Sequence, residues 1–372
     1  MASDRHAFLA GINVDGDLLR ESPKWVAETL ASTPIRWLRI HTLPTRSLDQ
    51  KGPGGLSYLG AIEHVCRSGL NIVTPIDVGY TEVVGSVPRA GLDAFIEESY
   101  GYASKAARLI GETASRYNVE VVFGIENEID MKSWIMQSLP GIAWRESSEA
   151  WISFALDSSL KYRRLNNILR GVKDAVPGAR TMINVSAEDA EDLLGLLRRR
   201  PRVLPAQRGA LETFSDKMVD WKVELEHVKE RLDVDLVGID TYPNYFLKFP
   251  IMGQDTANKV AQAAAICGKP VFNPEFGYST YRSLLERFSA GLLLKPSAPR
   301  MQVEFFRNTL ASIETSQSVG TFPWLLMTQT DKVEVPRQES YFGLFQMHGR
   351  TVRKQPAFDY YVDWLQRRDG KK

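Results

Sequence analysis

Hydrophobic positions along this chain fall into short apolar runs separated by longer stretches with helical spacing, and the alternation repeats from one end to the other. The runs Phe8–Val14, Ile35–Ile40, Leu70–Ile76 and Val119–Ile125 read as the first four strands, and Thr181–Val185, Val234–Ile239, Pro270–Asn273 and Val319–Leu325 as the second four. Between them, apolar residues recur every three to four positions over Pro23–Ala31, around Tyr58, Ile62 and Val65, and over Leu92–Tyr117, Trp151–Val176, Thr256–Cys267 and Pro299–Thr315. A divided helical region fills Ala187–Arg231, and an amphipathic helix, Ala357–Arg367, closes the chain. Punctuation agrees with these limits: Pro177-Gly178 stops one helix, and Gly268 stands where a left-handed cap would end another.

Eight strand–helix units predict a parallel sheet, and with no composition break inside the chain they predict one (β/α)8 TIM barrel domain over residues 1–372, with lengthened loops after several strands. An open doubly wound sheet would need a glycine-rich phosphate turn after the first strand. Gly11-Ile12-Asn13-Val14-Asp15-Gly16 lacks that spacing. In a barrel the chemistry sits where strands end at their C-terminal side, so polar residues there become the candidates.

Charge narrows the partner. With 46 basic against 45 acidic side chains the formal charge is +1, which gives no field to hold nucleic acid or an anionic membrane, and the expected partner is neutral. The run Arg198, Arg199, Arg200, Pro201, Arg202 follows the apolar Leu193–Leu197 and reads as a solvated helix end, where cations complement the helix dipole. The two cysteines, Cys66 and Cys267, indicate neither a disulfide framework nor a zinc site. Five histidines without His-x-His or His-Glu-x-x-His spacing argue against a metal-dependent hydrolase, and no cofactor is expected. Met1–Phe8 is too polar and brief for a signal peptide, so a cytoplasmic location is expected of the chain as given, and a secreted one if a leader has been trimmed. The oligomeric state is open.

Two strand ends carry the chemistry. Gly124-Ile125-Glu126-Asn127-Glu128 and Asn273-Pro274-Glu275-Phe276-Gly277 each deliver a glutamate after an apolar run, and two carboxylates from separate strand ends are what glycoside hydrolysis requires. Here the chain resembles clan A, the (β/α)8 retaining glycoside hydrolases that place an Asn-Glu pair after strand four and a nucleophilic Glu after strand seven. Arg39 in Trp37-Leu38-Arg39-Ile40 is similar to the clan's arginine at the end of strand two. Tyr242 in Gly238-Ile239-Asp240-Thr241-Tyr242-Pro243 is similar to its strand-six tyrosine, and Trp324 in Phe322-Pro323-Trp324 to the tryptophan closing strand eight. Parts of the chain are similar to endo-glucanases and endo-galactanases of the clan, and no motif selects one family.

The resemblance implies a β-linked oligo- or polysaccharide substrate of the glucan, mannan or galactan class. It makes Glu128 the general acid and later base, which must hold a proton near neutral pH, and Glu275 the nucleophile, kept ionised by Arg39 and hydrogen-bonded by Tyr242. Asn127 would bind the sugar 2-hydroxyl, with a loop-capping asparagine as the alternative. Trp324 would form the floor under the sugar, with a core tryptophan as the alternative. His41, Tyr80 and Trp134 are further substrate-binding candidates by position. Asn13, Asp15 and Asn184 sit at other strand ends, each with a structural alternative. Asp240 and Glu126 rank second as carboxylates; Glu126, two residues before Glu128, is expected on the same strand face, perturbing the acid or pairing with a cation. A transglycosylase would use the same residues with a sugar as acceptor, and a non-catalytic carbohydrate-binding barrel would not need both glutamates.

Overall fold

The structure, a computed structural model, describes residues 8–41, 43–52, 54–76, 89–130, 158–187, 220–242, 255–280, 298–327, 341–348 and 351–370. Eight strands close in sequence order into an all-parallel barrel: β1 (Leu9–Asp15), β2 (Trp37–His41), β3 (Asn71–Ile76), β4 (Val121–Ile125), β5 (Arg180–Val185), β6 (Leu236–Ile239), β7 (Val271–Phe276) and β8 (Gly320–Pro323). Closure comes from β8 pairing with β1 through Leu9↔Gly320 and Ala10↔Thr321. Outside it run α1 (Gly16–Glu21), α2 (Pro23–Ala31), α3 (Tyr58–Arg67), α4 (Arg89–Arg116), α5 (Ser158–Ala175), α6 (Trp221–Arg231), α7 (Thr256–Cys267), α8 (Ala298–Thr315) and α9 (Pro356–Asp369). No helix among the described residues is long and apolar enough to cross a membrane.

Alternation along each strand sorts the side chains into two cores. One residue from every strand meets in the inner one: Leu9, Trp37, Val73, Val122, Met182, Leu236, Phe272 and Phe322. Their outward neighbours, such as Ile12, Leu38, Ile72, Phe123, Ile183, Val237 and Phe276, pack with the helices in the outer core. Above the inner layer the residue size drops, and Gly11, Gly124 and Gly238 let large neighbours fill a narrowing space. A Cβ at Gly11 would stand 1.9 Å from the Phe322 ring, and one at Gly238 only 2.7 Å from Pro274 Cγ. The inner core is thus a packed plug that closes the barrel floor, leaving the C-terminal strand ends for polar groups.

Helix ends follow local chemistry. Asp15 caps α1, its Oδ1 accepting from the Asp17 amide at 2.8 Å, and Ser57 caps α3. Gly268 ends α7 with φ of 65°, the left-handed cap predicted for it. Tyr361 on α9 donates its hydroxyl to Gly11 O at 2.7 Å, fastening the last helix to the first strand.

Three expectations need correction. A short helix, α1, follows β1 directly, ahead of the Pro23–Ala31 helix that was expected next; its Asp15 cap is the residue assigned to the strand end. Among the lengthened loops expected, the one after the eighth strand, Met327 to Arg353, contains strand β9 (Phe345–His348) of an antiparallel hairpin with β10 (Thr351–Lys354), too short to announce itself by alternation. The seventh strand runs on past Asn273 to Phe276, so Glu275 lies within it and not after it. Pro274, which removes a ladder donor, sits at an irregularity in the pairing.

Candidate active site

Pleating alone would turn Glu275 away from the barrel axis, because Phe272 faces inward and the period is two. A bulge reverses it. Asn273 pairs with Thr321 and Phe276 with Pro323, so three steps on β7 match two on β8, and the extra residue re-aims the strand between them. Asn273 stabilises the bend, its Nδ2 donating to Ile239 O at 2.6 Å and to Glu275 O at 3.1 Å. The Thr241 amide donates to Glu275 O at 2.8 Å from the other side. The Glu275 side chain, buried, is delivered into the barrel mouth on a fixed backbone.

There it meets Arg39, which alternation on β2 places inward above Trp37. Arg39 Nη1 donates to Glu275 Oε1 at 2.6 Å and to Asn13 Oδ1 at 2.7 Å, and Nη2 donates to Asn127 Oδ1 at 2.5 Å. Asn13 is fixed in turn, its Nδ2 donating to Pro274 O at 2.8 Å across the β1–β7 gap. The second oxygen of Glu275, Oε2, accepts from the Tyr242 hydroxyl at 2.6 Å. Burial alone would lower the Arg39 pKa, but the charges of Glu275 and Asp240 outweigh it and hold it above the usual value. Burial, reinforced by the Glu275 charge, pushes the Tyr242 hydroxyl well above the ordinary tyrosine value, so it remains a donor.

The end of β4 breaks the pleat as well. Glu126 has φ of 62° and Glu128 φ of 43°, both in the left-handed region that non-glycine residues seldom enter. This overturns the expectation that Glu126 and Glu128 share a face: Glu126 forms a buried ion pair with Arg164 on α5, outside the barrel, which is the cation-pairing alternative. Asn127 and Glu128 are carried across the mouth. The segment is held by β5, where the Ile129 amide donates to Asn184 O at 3.1 Å and the Ser186 amide and hydroxyl donate to Asp130 at 2.6 and 2.8 Å.

Asn184 links the halves, its Nδ2 donating to Asn127 Oδ1 at 2.9 Å and to Asp240 Oδ2 at 2.5 Å. Asp240 is fully buried, and its place was legible: Leu236, Gly238 and Asp240 share the inward parity of β6. Asn13 and Asn184, each with a structural alternative on sequence alone, both join the network. Burial, then the charges of Glu275 and Glu128, raises the Asp240 carboxyl well above the usual carboxylate range, with Arg39 opposing.

Carboxylate oxygens of Glu128, Asp240 and Glu275 all lie within 4.8 Å of one another, close enough for a cation. Both Glu275 oxygens are already engaged, one by a guanidinium and one by a phenol, and a second cation would face Arg39. The arrangement fits a metal poorly. Trp324 and His41 complete the described rim: both are half-buried, and their rings meet edge to face with centroids 4.5 Å apart. The Trp324–Leu325 peptide is cis. Tyr242 is backed by Phe342, ring centroids 5.8 Å apart. Tyr80 and Trp134 lie outside the described residues, as do most of the long loops predicted after strands four, six, seven and eight.

No protein-family model matches the chain, and no curated protein matches it in sequence. Solved structures do match in fold. A β-glycosidase superposes with a TM-score of 0.63 at 12% identity, over 98% of this chain and 97% of that one. The β-glucosidase from Thermotoga maritima gives 0.60 at 12% identity, over 97% and 98% of the two chains. The exo-β-1,4-mannosidase from Opitutaceae bacterium strain TAV5 gives 0.58 at 14% identity, over 100% of this chain and 63% of its own. At such identities the likeness is one of fold: a closed eight-stranded (β/α)8 barrel, the fold implied by the clan resemblance.

Proposed function

We propose that this protein is a retaining β-glycosidase in which Glu275 is the nucleophile and Glu128 the acid/base. The observation that carries the reading is the treatment of Glu275: one oxygen is bound by Arg39 and the other by Tyr242, in a buried mouth that also holds Glu128. A carboxylate flanked by a permanent cation and a phenol stays ionised and aimed, which attack on an anomeric carbon needs. Glu128 is half-buried at the rim of the mouth, within reach of solvent, as suits a group that must gain and lose a proton. Carboxylate oxygens within 4.8 Å favour double displacement, since inversion leaves room for a water with carboxyl groups roughly 6.5–9.5 Å apart.

In the first step Glu275 attacks the anomeric carbon while Glu128 protonates the departing oxygen. In the second, Glu128 takes a proton from water, which displaces Glu275. Asn127, whose Oδ1 accepts from Arg39 and Asn184, would meet the sugar 2-hydroxyl with its other amide atom. Trp324 offers an indole face to the sugar ring. The folds of glycosidases that cleave β-linked glucosides and mannosides support a β-linked substrate. Chromogenic β-glycosides tested with wild type and Glu275→Ala decide the matter. Loss of hydrolysis, restored by azide with formation of an inverted glycosyl azide, is expected; full activity in Glu275→Ala would sink the assignment. Product analysis in the same assay separates hydrolysis from transfer to a sugar acceptor.

A further inference from the structure

Asp240 is a buried carboxyl group that double displacement does not use. Among the described residues it makes one hydrogen bond: Asn184 Nδ2 donates to its Oδ2 at 2.5 Å, while Oδ1 has no hydrogen-bond partner. Burying a carboxyl behind a single bond is unfavourable, and the partner it holds is an amide that passes the bond on. Asn184 Nδ2 also donates to Asn127 Oδ1 at 2.9 Å, and Asn127 Oδ1 accepts from Arg39 Nη2 at 2.5 Å as well. The ladder makes this reach possible. Asn184 stands opposite Gly238, where a Cβ would lie 2.8 Å from Asn184 Cβ, so the glycine gives the room for Asn184 to meet Asp240 one inward step further along.

A side-chain amide turns over with little change of shape, so its direction is set by what flanks it. At one end of this chain of bonds the Arg39 guanidinium only donates. At the other, Asp240 Oδ2 accepts, as a carboxylate or as an acid with its proton on Oδ1. Between them each amide has one consistent direction: Asn184 turns its NH2 group to both Asp240 and Asn127, and Asn127 turns its carbonyl to Arg39 and Asn184. The Asn127 NH2 group is what remains for the mouth. We propose that Asp240 is a positioning residue that locks this relay, so that the site meets the sugar's 2-position with a hydrogen-bond donor and selects substrates carrying an acceptor oxygen there. The proposal deepens the glycosidase reading and rests on it for its consequence at the sugar. Two bonds converging on one oxygen from β2 and β5 fix the plane of the Asn127 amide, whereas one bond fixes only a direction. Without Asp240 the Asn184 amide is held at one end alone and twists, and Asn127 keeps only its anchor on Arg39.

The test compares the aryl β-glycoside cleaved best with its 2-deoxy counterpart. The ratio of their kcat/KM values reads the contact at the 2-position and cancels effects common to both substrates. Asp240→Leu keeps the size and removes the acceptor, and the ratio should fall about 10-fold, the loss expected for one hydrogen bond. Asp240→Asn removes the charge but keeps an acceptor for Asn184, and its ratio should stay within about threefold of wild type. If Asp240→Leu does not fold, Asn184→Ala cuts the same link and should give the same fall. In an Asn127→Ala background neither change should lower the ratio further. Side-chain 1H–15N spectra of asparagine-labelled protein read the relay without substrate: the Asn127 NH2 signals should move in Asp240→Leu and hold in Asp240→Asn. A wild-type ratio in Asp240→Leu and Asn184→Ala would overturn the proposal. So would an equally deep fall in Asp240→Asn, because the charge and not the acceptor would then matter. Asn127 signals that answer to Asp240→Leu in a protein that cleaves no glycoside would leave the relay standing and sink the glycosidase reading instead.

Discussion

Removing Arg39 should damage the protein in a way that identifies its partner. The Arg39 and Glu275 side chains are 1% and 4% exposed, and they meet at 2.6 Å. At an effective dielectric of about 20, two unit charges at that distance attract by about 6 kcal/mol, and the cost of taking both out of water offsets much of this. Arg39→Met leaves the Glu275 carboxylate buried without its cation and strips Asn13 and Asn127 of a donor, so the expected loss is about 3–5 kcal/mol of stability. Urea unfolding should show the midpoint falling at unchanged slope. A double-mutant cycle with Glu275→Gln apportions the loss. Once the carboxylate is gone the missing cation matters less, and a coupling of about 2–3 kcal/mol is expected. On the proposed function kcat/KM should also fall at least about 100-fold, the equivalent of one charge-assisted contact. A stability loss under 1 kcal/mol, or additive single effects, would refute the claim that this ion pair organises the site.

Tyr242→Phe deletes the donor on Glu275 Oε2 and should lower kcat about 10- to 100-fold with little change in KM. Because burial and Glu275 hold the Tyr242 hydroxyl well above its usual value, it stays protonated throughout the working range and sets neither limb of the wild-type profile; losing its bond to Glu275 should move the acid limb up while the alkaline limb keeps its position, and a displaced alkaline limb would contradict this. Gly238→Ala drives a methyl to within 2.7 Å of Pro274 Cγ and 2.8 Å of Asn184 Cβ, neither at the end of a flexible chain. It should cost about 1–3 kcal/mol, seen as a lower Tm, and should reduce activity by shifting the residue before Glu275; an unchanged Tm would show that the barrel interior yields more than its packing implies.

The sequence by itself determined the barrel and most of the cast. Eight apolar runs at strand length, separated by helix-length stretches of period 3.6, leave few arrangements that bury both faces of every strand, and the closed parallel sheet is the one found. Strand parity places Arg39 and Asp240 inward and one residue from each strand in the inner core, because side-chain direction in a regular strand is a matter of counting. Tertiary structure alone decided what happens where counting fails. Glu275 faces the site only because β7 carries an extra residue opposite β8. Glu126 and Glu128 part company only because the chain after β4 enters the left-handed region twice, sending one to Arg164 and the other to the mouth. Such irregularities cost backbone energy that local sequence does not repay. They persist because distant partners hold them, Asn273 and Thr241 at the bulge and Asn184 and Ser186 beyond β4, and those contacts exist only once the barrel has closed.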